Sequence, residues 1–289
     1  MSDGNETSRF AYIDRSDRGK LRLTGPQRAW YLHQITSQAF EDIAPGDSRV
    51  ATMLTHIGRV VGLFEAVATE DSILCHFESS LHPELPDAIR RYVFATQVEI
   101  EDVGDDMGLI LVSGRDTSMI TTDHVSQEAR LIGIPATYLW VARSALPDAI
   151  VELKGAGAVE LTEAELEATR AAAGIPRWGY DIDTKTFPQE VGIDTIAVHY
   201  DKGCYTGQEA MAKIHFRGKV NRKLVRVRSS RPVPRGSEVT VEGDRVGVVT
   251  TGSLPVEGSN VGLAVVRATT PSGATVTIDG DEVSLEDAS

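Results

Sequence analysis

The sequence predicts an α+β fold in which a body of antiparallel sheet and helices precedes a small C-terminal β-barrel. Two observations carry that expectation. After Asn221 the chain breaks into short β-branched runs at 224–227, 238–242, 245–251, 261–266, 275–278 and 282–285, punctuated by Gly236, Gly243, Gly252, Gly273 and Gly280. Short strands at regular spacing with glycine turns read as a small barrel or sandwich. Before that point, strand patterns alternate with capped helices. A chain of 289 residues accommodates two domains, and the change of texture divides it into residues 8–220 and 221–289.

In the body, residues 10–23 read as two short strands around the turn-like Asp14-Arg15-Ser16-Asp17-Arg18-Gly19. Gly25-Pro26 opens a helix whose apolar face is Ala29, Leu32 and Ile35. Residues 49–55 and 60–68 form a hairpin around Ile57-Gly58-Arg59, and 72–77 adds a strand. Leu85, Ile89, Tyr92 and Val93 place a helix between Pro83 and Phe94. Residues 98–102, 109–112 and 138–142 are strand-like. Thr162-Glu163-Ala164-Glu165 is a capping box, and Gly174 and Pro176 stop the helix it starts. No internal repeat is present.

Composition narrows the function classes. No uncharged apolar run approaches the length of a membrane span, and the polar start Met1-Ser2-Asp3-Gly4-Asn5-Glu6 does not resemble a secretory signal. The two cysteines, Cys75 and Cys204, make no disulfide framework and fit a reducing cytoplasm. The net charge of −13 argues against general nucleic-acid binding. That average hides a reversal: residues 201–235 carry ten basic residues against two acidic ones, a local +8, which leaves −21 on the rest. Lys223, Arg226, Arg228 and Arg231 read as a solvated strand face, whereas Lys202, Arg217 and Lys219 lie near other chemistry.

That chemistry is Lys202-Gly203-Cys204-Tyr205-Thr206-Gly207-Gln208-Glu209. Thr206 and Glu209 have capping-box spacing, so a helix is expected to start at Thr206, with Cys204 just before its N-terminus. The helix dipole and Lys202 would favour a thiolate, which is both a nucleophile and a soft metal ligand. A small cysteine in a tight turn is the simpler alternative. Cys75, inside Ile73-Leu74-Cys75-His76-Phe77, reads as core. The seven histidines show no ligand spacing, so no metal site is expected, and there is no phosphate loop, dinucleotide fingerprint or serine elbow.

The eight-residue segment resembles the signature of the YgfZ family of folate-binding proteins, within the superfamily of the glycine-cleavage T-protein, a tetrahydrofolate-dependent aminomethyltransferase. Other stretches agree in order: Leu23-Thr24-Gly25 through Leu32, the Gly58-Arg59 hairpin, Arg170-Ala171-Ala172-Ala173-Gly174-Ile175-Pro176, Phe187-Pro188-Gln189-Glu190, Phe216-Arg217-Gly218-Lys219, Val246-Gly247-Val248-Val249-Thr250 and Gly262-Leu263-Ala264-Val265-Val266-Arg267. The resemblance covers nearly the whole chain, most thinly over 104–151.

It implies an antiparallel-sheet folate-binding body of aminomethyltransferase type with a C-terminal barrel. It implies tetrahydrofolate as cofactor, and iron–sulfur client or assembly proteins as partners, such as 4Fe–4S tRNA methylthiotransferases. Cys204 carries the family's mark, and Lys202 travels with it. Glu190 matches a superfamily folate-site carboxylate, suited to the paired N–H donors of a pterin. Arg217, Lys219 and Arg222 are candidates for the anionic folate tail, and Tyr205, Trp30 and Trp178 for stacking. The carboxylate the aminomethyltransferase needs beside the reactive folate nitrogen has no match: Glu84 and Asp87 lie in the region, but the pattern differs. The expected function is therefore a folate-binding accessory factor, cytoplasmic and without direct nucleic-acid or membrane binding. The alternatives are a tetrahydrofolate-dependent aminomethyltransferase and a scaffold protein that uses the basic strip.

Overall fold

The computed structural model describes residues 9–115, 117–218 and 220–288. β1 (Ala11–Asp14) and β2 (Gly19–Thr24) flank a tight turn and enter different sheets. α1 (Arg28–Ile35) is followed by the meander β3 (Ser48–Leu54), β4 (Val60–Ala68) and β5 (Ser72–Phe77). α2 (Glu84–Arg90) leads to β6 (Glu99–Asp102), β7 (Met107–Ser113), β8 (His124–Glu128) and β9 (Ala136–Ala142). α3 (Leu146–Gly155), β10 (Val159–Glu160), α4 (Glu163–Ala172), α5 (Asp194–Ala197) and α6 (Gln208–Arg217) complete the body. No helix among the described residues is long and apolar enough to cross a membrane.

The body holds two five-stranded sheets. One has the order β10-β1-β7-β9-β8, the other β3-β4-β5-β2-β6. All pairings are antiparallel except β1 with β10. β5 is buried along its whole length because both of its faces are covered. Ile73, Cys75 and Phe77 pack with Leu21, Leu23, Tyr31, Leu32 and Phe64. On the opposite face, Leu74 joins Val67, Leu109, Leu111, Tyr138 and Trp140, so the two sheets share a core. Each such aliphatic side chain contributes about 1.5–3 kcal/mol relative to exposure. The capping box expected at Thr162 is formed: the Thr162 hydroxyl accepts from Glu165 N, and Glu165 Oε2 accepts from Thr162 N.

The six short runs after Asn221 form β11 (Arg222–Ser229), β12 (Glu238–Val241), β13 (Asp244–Val256), β14 (Ser259–Arg267), β15 (Thr275–Ile278) and β16 (Asp281–Asp287). They close into a barrel through β11 and β16, with Arg226 opposite Glu286. Val225, Val227, Val239, Val249, Ala264, Val266, Ile278 and Leu285 fill its interior. Leu224 and Leu263 face the other way, packing with Leu54, Val60, Val191, Tyr205 and Met211 of the body.

Candidate functional site

The β1–β2 turn must pass from one sheet to the other, and it carries Arg15 and Arg18 inward. Lys20, fully buried, holds the turn by donating to the Ser16 and Arg18 carbonyls at 2.8 Å each. The arginines meet carboxylates from distant parts of the chain. Arg18 Nη1 donates to Glu78 Oε1, and Arg177 donates to Glu78 Oε2 from Nε at 3.1 Å and from Nη2 at 2.9 Å. Arg177 Nη1 also binds Glu163 and Glu167 at 2.7 and 2.9 Å. Burial alone would raise the Glu78 carboxyl, but Arg18 and Arg177 outweigh it and pull the pKa down to about 2. The cavity these residues line, with Glu65, Tyr138, Arg170 and Trp178, encloses about 40 Å³. That is room for water rather than for a ring.

A larger cleft lies between body and barrel. It has about 360 Å³ and is lined by Asp181, Asp183 and Glu190 from the body and by Arg222, Arg245 and Arg267 from the barrel. Its volume falls in the range of small-molecule sites. Glu190, buried at the end of a 3₁₀ turn, receives Arg222 Nε at 3.1 Å and Nη2 at 2.7 Å. Glu190 Oε2 also accepts from Phe187 N at 3.0 Å. Asp181 lines the cleft and is bonded to Arg170 and Arg177, which line the cavity. It binds Arg170 Nη1 at 2.9 Å, Arg177 N at 3.0 Å and the hydroxyls of Thr250 and Thr251 at 2.5 and 2.9 Å.

The Cys204 segment sits apart and lines neither space. Its helix does not begin as the spacing predicts. α6 starts at Gln208 behind Gly207, whose φ of 87° is left-handed, and Thr206 makes no side-chain cap. Glu209 pairs with Lys213 one turn on, at 2.5 Å, instead of reaching back. The physical reason is close packing. A Cβ on Gly207 would lie 2.5 Å from the Thr55 carbonyl, so the β3–β4 turn presses on the start of α6 and the backbone takes the glycine-only route. Lys202 is buried, and its ammonium donates to the carbonyls of His33, Thr36 (2.7 Å) and Gln38 (2.8 Å) at the end of α1. Burial lowers its pKa to about 8. Tyr205 covers it, ring centroid 5.1 Å away, and is itself buried in the body–barrel core, which raises its phenol to about 12. Cys204 is exposed, and Cys75 is buried, as expected of a core thiol.

The structure therefore brings together Glu190 with Arg222, and Lys202 with Tyr205, as two separate groups. Lys219 and the side chain of Arg217 lie outside the described residues. The +8 stretch is largely balanced in space. Arg226 and Arg228 face Glu286 at 3.6 and 2.9 Å, Lys223 faces Asp287 at 3.4 Å, and Arg231 faces Asp281 at 3.3 Å. Sequence reasoning missed Arg18, Glu65, His76, Glu78, Arg177 and Asp181. Two of these had a signal: Glu65 and His76 interrupt otherwise apolar strands.

Comparison with known proteins agrees with this architecture. The family model described as the CAF17 C-terminal beta-barrel domain matches residues 221–289. A putative chloroplastic transferase of Arabidopsis thaliana is 24% identical over 298 residues, covering 94% of this chain and 68% of that protein. The aminomethyltransferase of Rubrobacter xylanophilus is 25% identical, covering 94% and 80%. The tRNA-modifying protein YgfZ of Colwellia psychrerythraea is 23% identical over 245 residues, covering 80% and 75%. Among solved structures, glycine cleavage system aminomethyltransferase T from Bartonella henselae superposes with a TM-score of 0.85 at 16% identity, over 98% of this chain and 86% of that one. With its two-sheet body, closed six-stranded barrel and Cys-bearing segment, the chain is similar to YgfZ-type and aminomethyltransferase proteins of the glycine-cleavage T-protein superfamily.

Proposed function

We propose that the chain binds a reduced folate, tetrahydrofolate, and serves as an accessory factor for iron–sulfur enzymes of the 4Fe–4S type rather than as a transferase. The observation that carries the folate part is the cleft between body and barrel. It sets Glu190, Asp181 and Asp183 beside Arg222, Arg245 and Arg267. Carboxylates suit the paired N–H donors of a pterin, and guanidiniums suit an anionic tail. Glu190 reaches such a ligand by exchanging its bond to Arg222, and the freed guanidinium then faces the anion. Cys204, exposed and outside the cleft, is the group offered to a client protein. Lys202 and Tyr205 fix the loop that presents it.

Titration of purified protein with tetrahydrofolate tests the ligand, with Glu190→Gln and Arg222→Ala as weakened variants. No binding by the wild type would end the folate reading. Complementation of a deletion strain, scored by a 4Fe–4S tRNA-modifying enzyme, tests the client role. Cys204→Ala should bind folate normally and fail to complement, and full client activity in the deletion strain would count against the accessory role. The relatives named aminomethyltransferase favour a second reading, aminomethyl transfer to tetrahydrofolate. Under it, purified protein releases methylene-tetrahydrofolate from an aminomethyl donor, and Cys204→Ser leaves that rate unchanged.

A further inference from the structure

Arg222 on β11 and Arg267 on β14 stand directly opposite each other in the antiparallel pairing of those strands, and both line the cleft between body and barrel. Directly opposed residues share one face of a sheet, with Cβ atoms about 5 Å apart, and like charges there repel. The next pair on that face, Leu224 and Val265, packs against the body, which fixes the direction in which the two arginines point. Their surroundings differ. Arg222 donates from Nε and Nη2 to the buried Glu190, at 3.1 and 2.7 Å, and from Nη2 to the Lys185 carbonyl at 3.0 Å. Arg267 is exposed, and its guanidinium has no partner among the described residues. The acids of the cleft are engaged elsewhere. Asp181 is held by Arg170, Thr250 and Thr251, and Asp183 Oδ1 accepts from Lys185 N at 2.8 Å and from the Thr186 hydroxyl at 2.9 Å.

We infer that Arg222 and Arg267 form a seat for a dicarboxylate that opens only when the head of a ligand takes Glu190, so that the cleft accepts molecules carrying both a paired N–H face and a distant dicarboxylate and discriminates against either half alone. This selection rests on the folate reading of the cleft. A head without a tail draws Glu190 off Arg222 and leaves two guanidiniums facing each other with no anion. A tail without a head draws Arg222 off Glu190, whose side chain is 4% exposed and keeps only the Phe187 N–H. Stranding a buried charge is costly. A ligand with both ends satisfies the two groups in one exchange: Glu190 accepts from the pterin, and Arg222 joins Arg267 on the two carboxylates of the glutamyl tail. Arg267 gives up no bond in this exchange, which makes it the residue that reads the tail.

Calorimetric titration with three compounds tests the selection: tetrahydrofolate, tetrahydropteroate, which lacks the glutamyl residue, and p-aminobenzoylglutamate, which lacks the pterin. The wild type should bind each half about a hundredfold more weakly than tetrahydrofolate, because each half forfeits charge-assisted bonds. Arg222→Gln should weaken tetrahydrofolate and yet bind tetrahydropteroate more tightly than the wild type does, because Glu190 is then open to the head without an exchange. Arg267→Gln removes no bond of the free protein. It should weaken tetrahydrofolate about tenfold and tetrahydropteroate by less than about twofold. Tetrahydropteroate that binds the wild type as tightly as tetrahydrofolate overturns the seat. Tetrahydropteroate that binds Arg222→Gln more weakly than the wild type overturns the exchange. Equal losses of both ligands in Arg267→Gln overturn its assignment to the tail. In each of these cases tetrahydrofolate still binds the wild type and the folate reading stands, whereas a wild type that binds no tetrahydrofolate removes that reading and the seat with it.

Discussion

Lys202 Nζ lies 2.7 Å from the carbonyl of Thr36, the residue that ends α1. The carbonyls of His33 and Gln38 complete its shell. A lysine from the Cys204 segment thus does the work of a helix C-cap for an element far away in sequence. Lys202→Met would leave three buried carbonyls without their donor. It should lower the unfolding free energy by about 2–4 kcal/mol, read from urea midpoints. A wild-type midpoint in that variant would mean the ammonium holds nothing.

Gly207 offers a sharper local test. Gly207→Ala meets both a left-handed φ and a 2.5 Å approach to the Thr55 carbonyl, so α6 must lift from the β3–β4 turn. The expected loss is about 2–4 kcal/mol. Gly236→Ala, with a φ of 92° and open space around its Cβ, carries only the backbone penalty of about 1 kcal/mol. Equal losses in the two variants would refute the close-packing account.

Glu78 links acidity to stability. Its pKa, about 2 in the folded protein, lies below the usual carboxylate value. A depressed carboxyl contributes stability above the unfolded pKa of about 4.5 and loses it as pH falls toward 2. Glu78→Gln should therefore destabilise by roughly 3 kcal/mol at neutral pH, where it strands Arg18 and Arg177, and by much less at about pH 2. A gap that stays constant between those pH values would contradict the ion-pair assignment.

The two thiols should behave differently toward a water-soluble disulfide reagent. Cys204 is exposed, whereas Cys75 is buried and burial pushes its pKa up. One thiol per chain should react quickly in the native protein, and both after denaturation. Fast labelling of both without denaturant would place Cys75 outside the core.

What was legible in the sequence was local. The six barrel strands and the Thr162 box depend on turns, alternation and caps within a few residues, and all of them appear in the structure. The central ion network depends on partners such as Arg177 and Glu78, 99 residues apart, which no window can pair. Charge counted along the chain misled for the same reason. The basic run on β11 lies beside the acids of β16, so a local excess along the sequence is nearly neutral in space. The Thr206 expectation failed because a capping box competes with tertiary contact, and the β3–β4 turn decided the outcome.

The pairing of β1 with β10 sets a schedule for synthesis on the ribosome. Ala11 pairs with Ser113 of β7 on one side, but it finds its second neighbour only when Val159 has been made, and β2 meanwhile belongs to the other sheet. Between the synthesis of β7 and that of β10, β1 thus presents one open edge, available to wrong partners and a natural client for a holding chaperone. The barrel, whose pairings all fall between Arg222 and Asp287, can close soon after its last strand emerges.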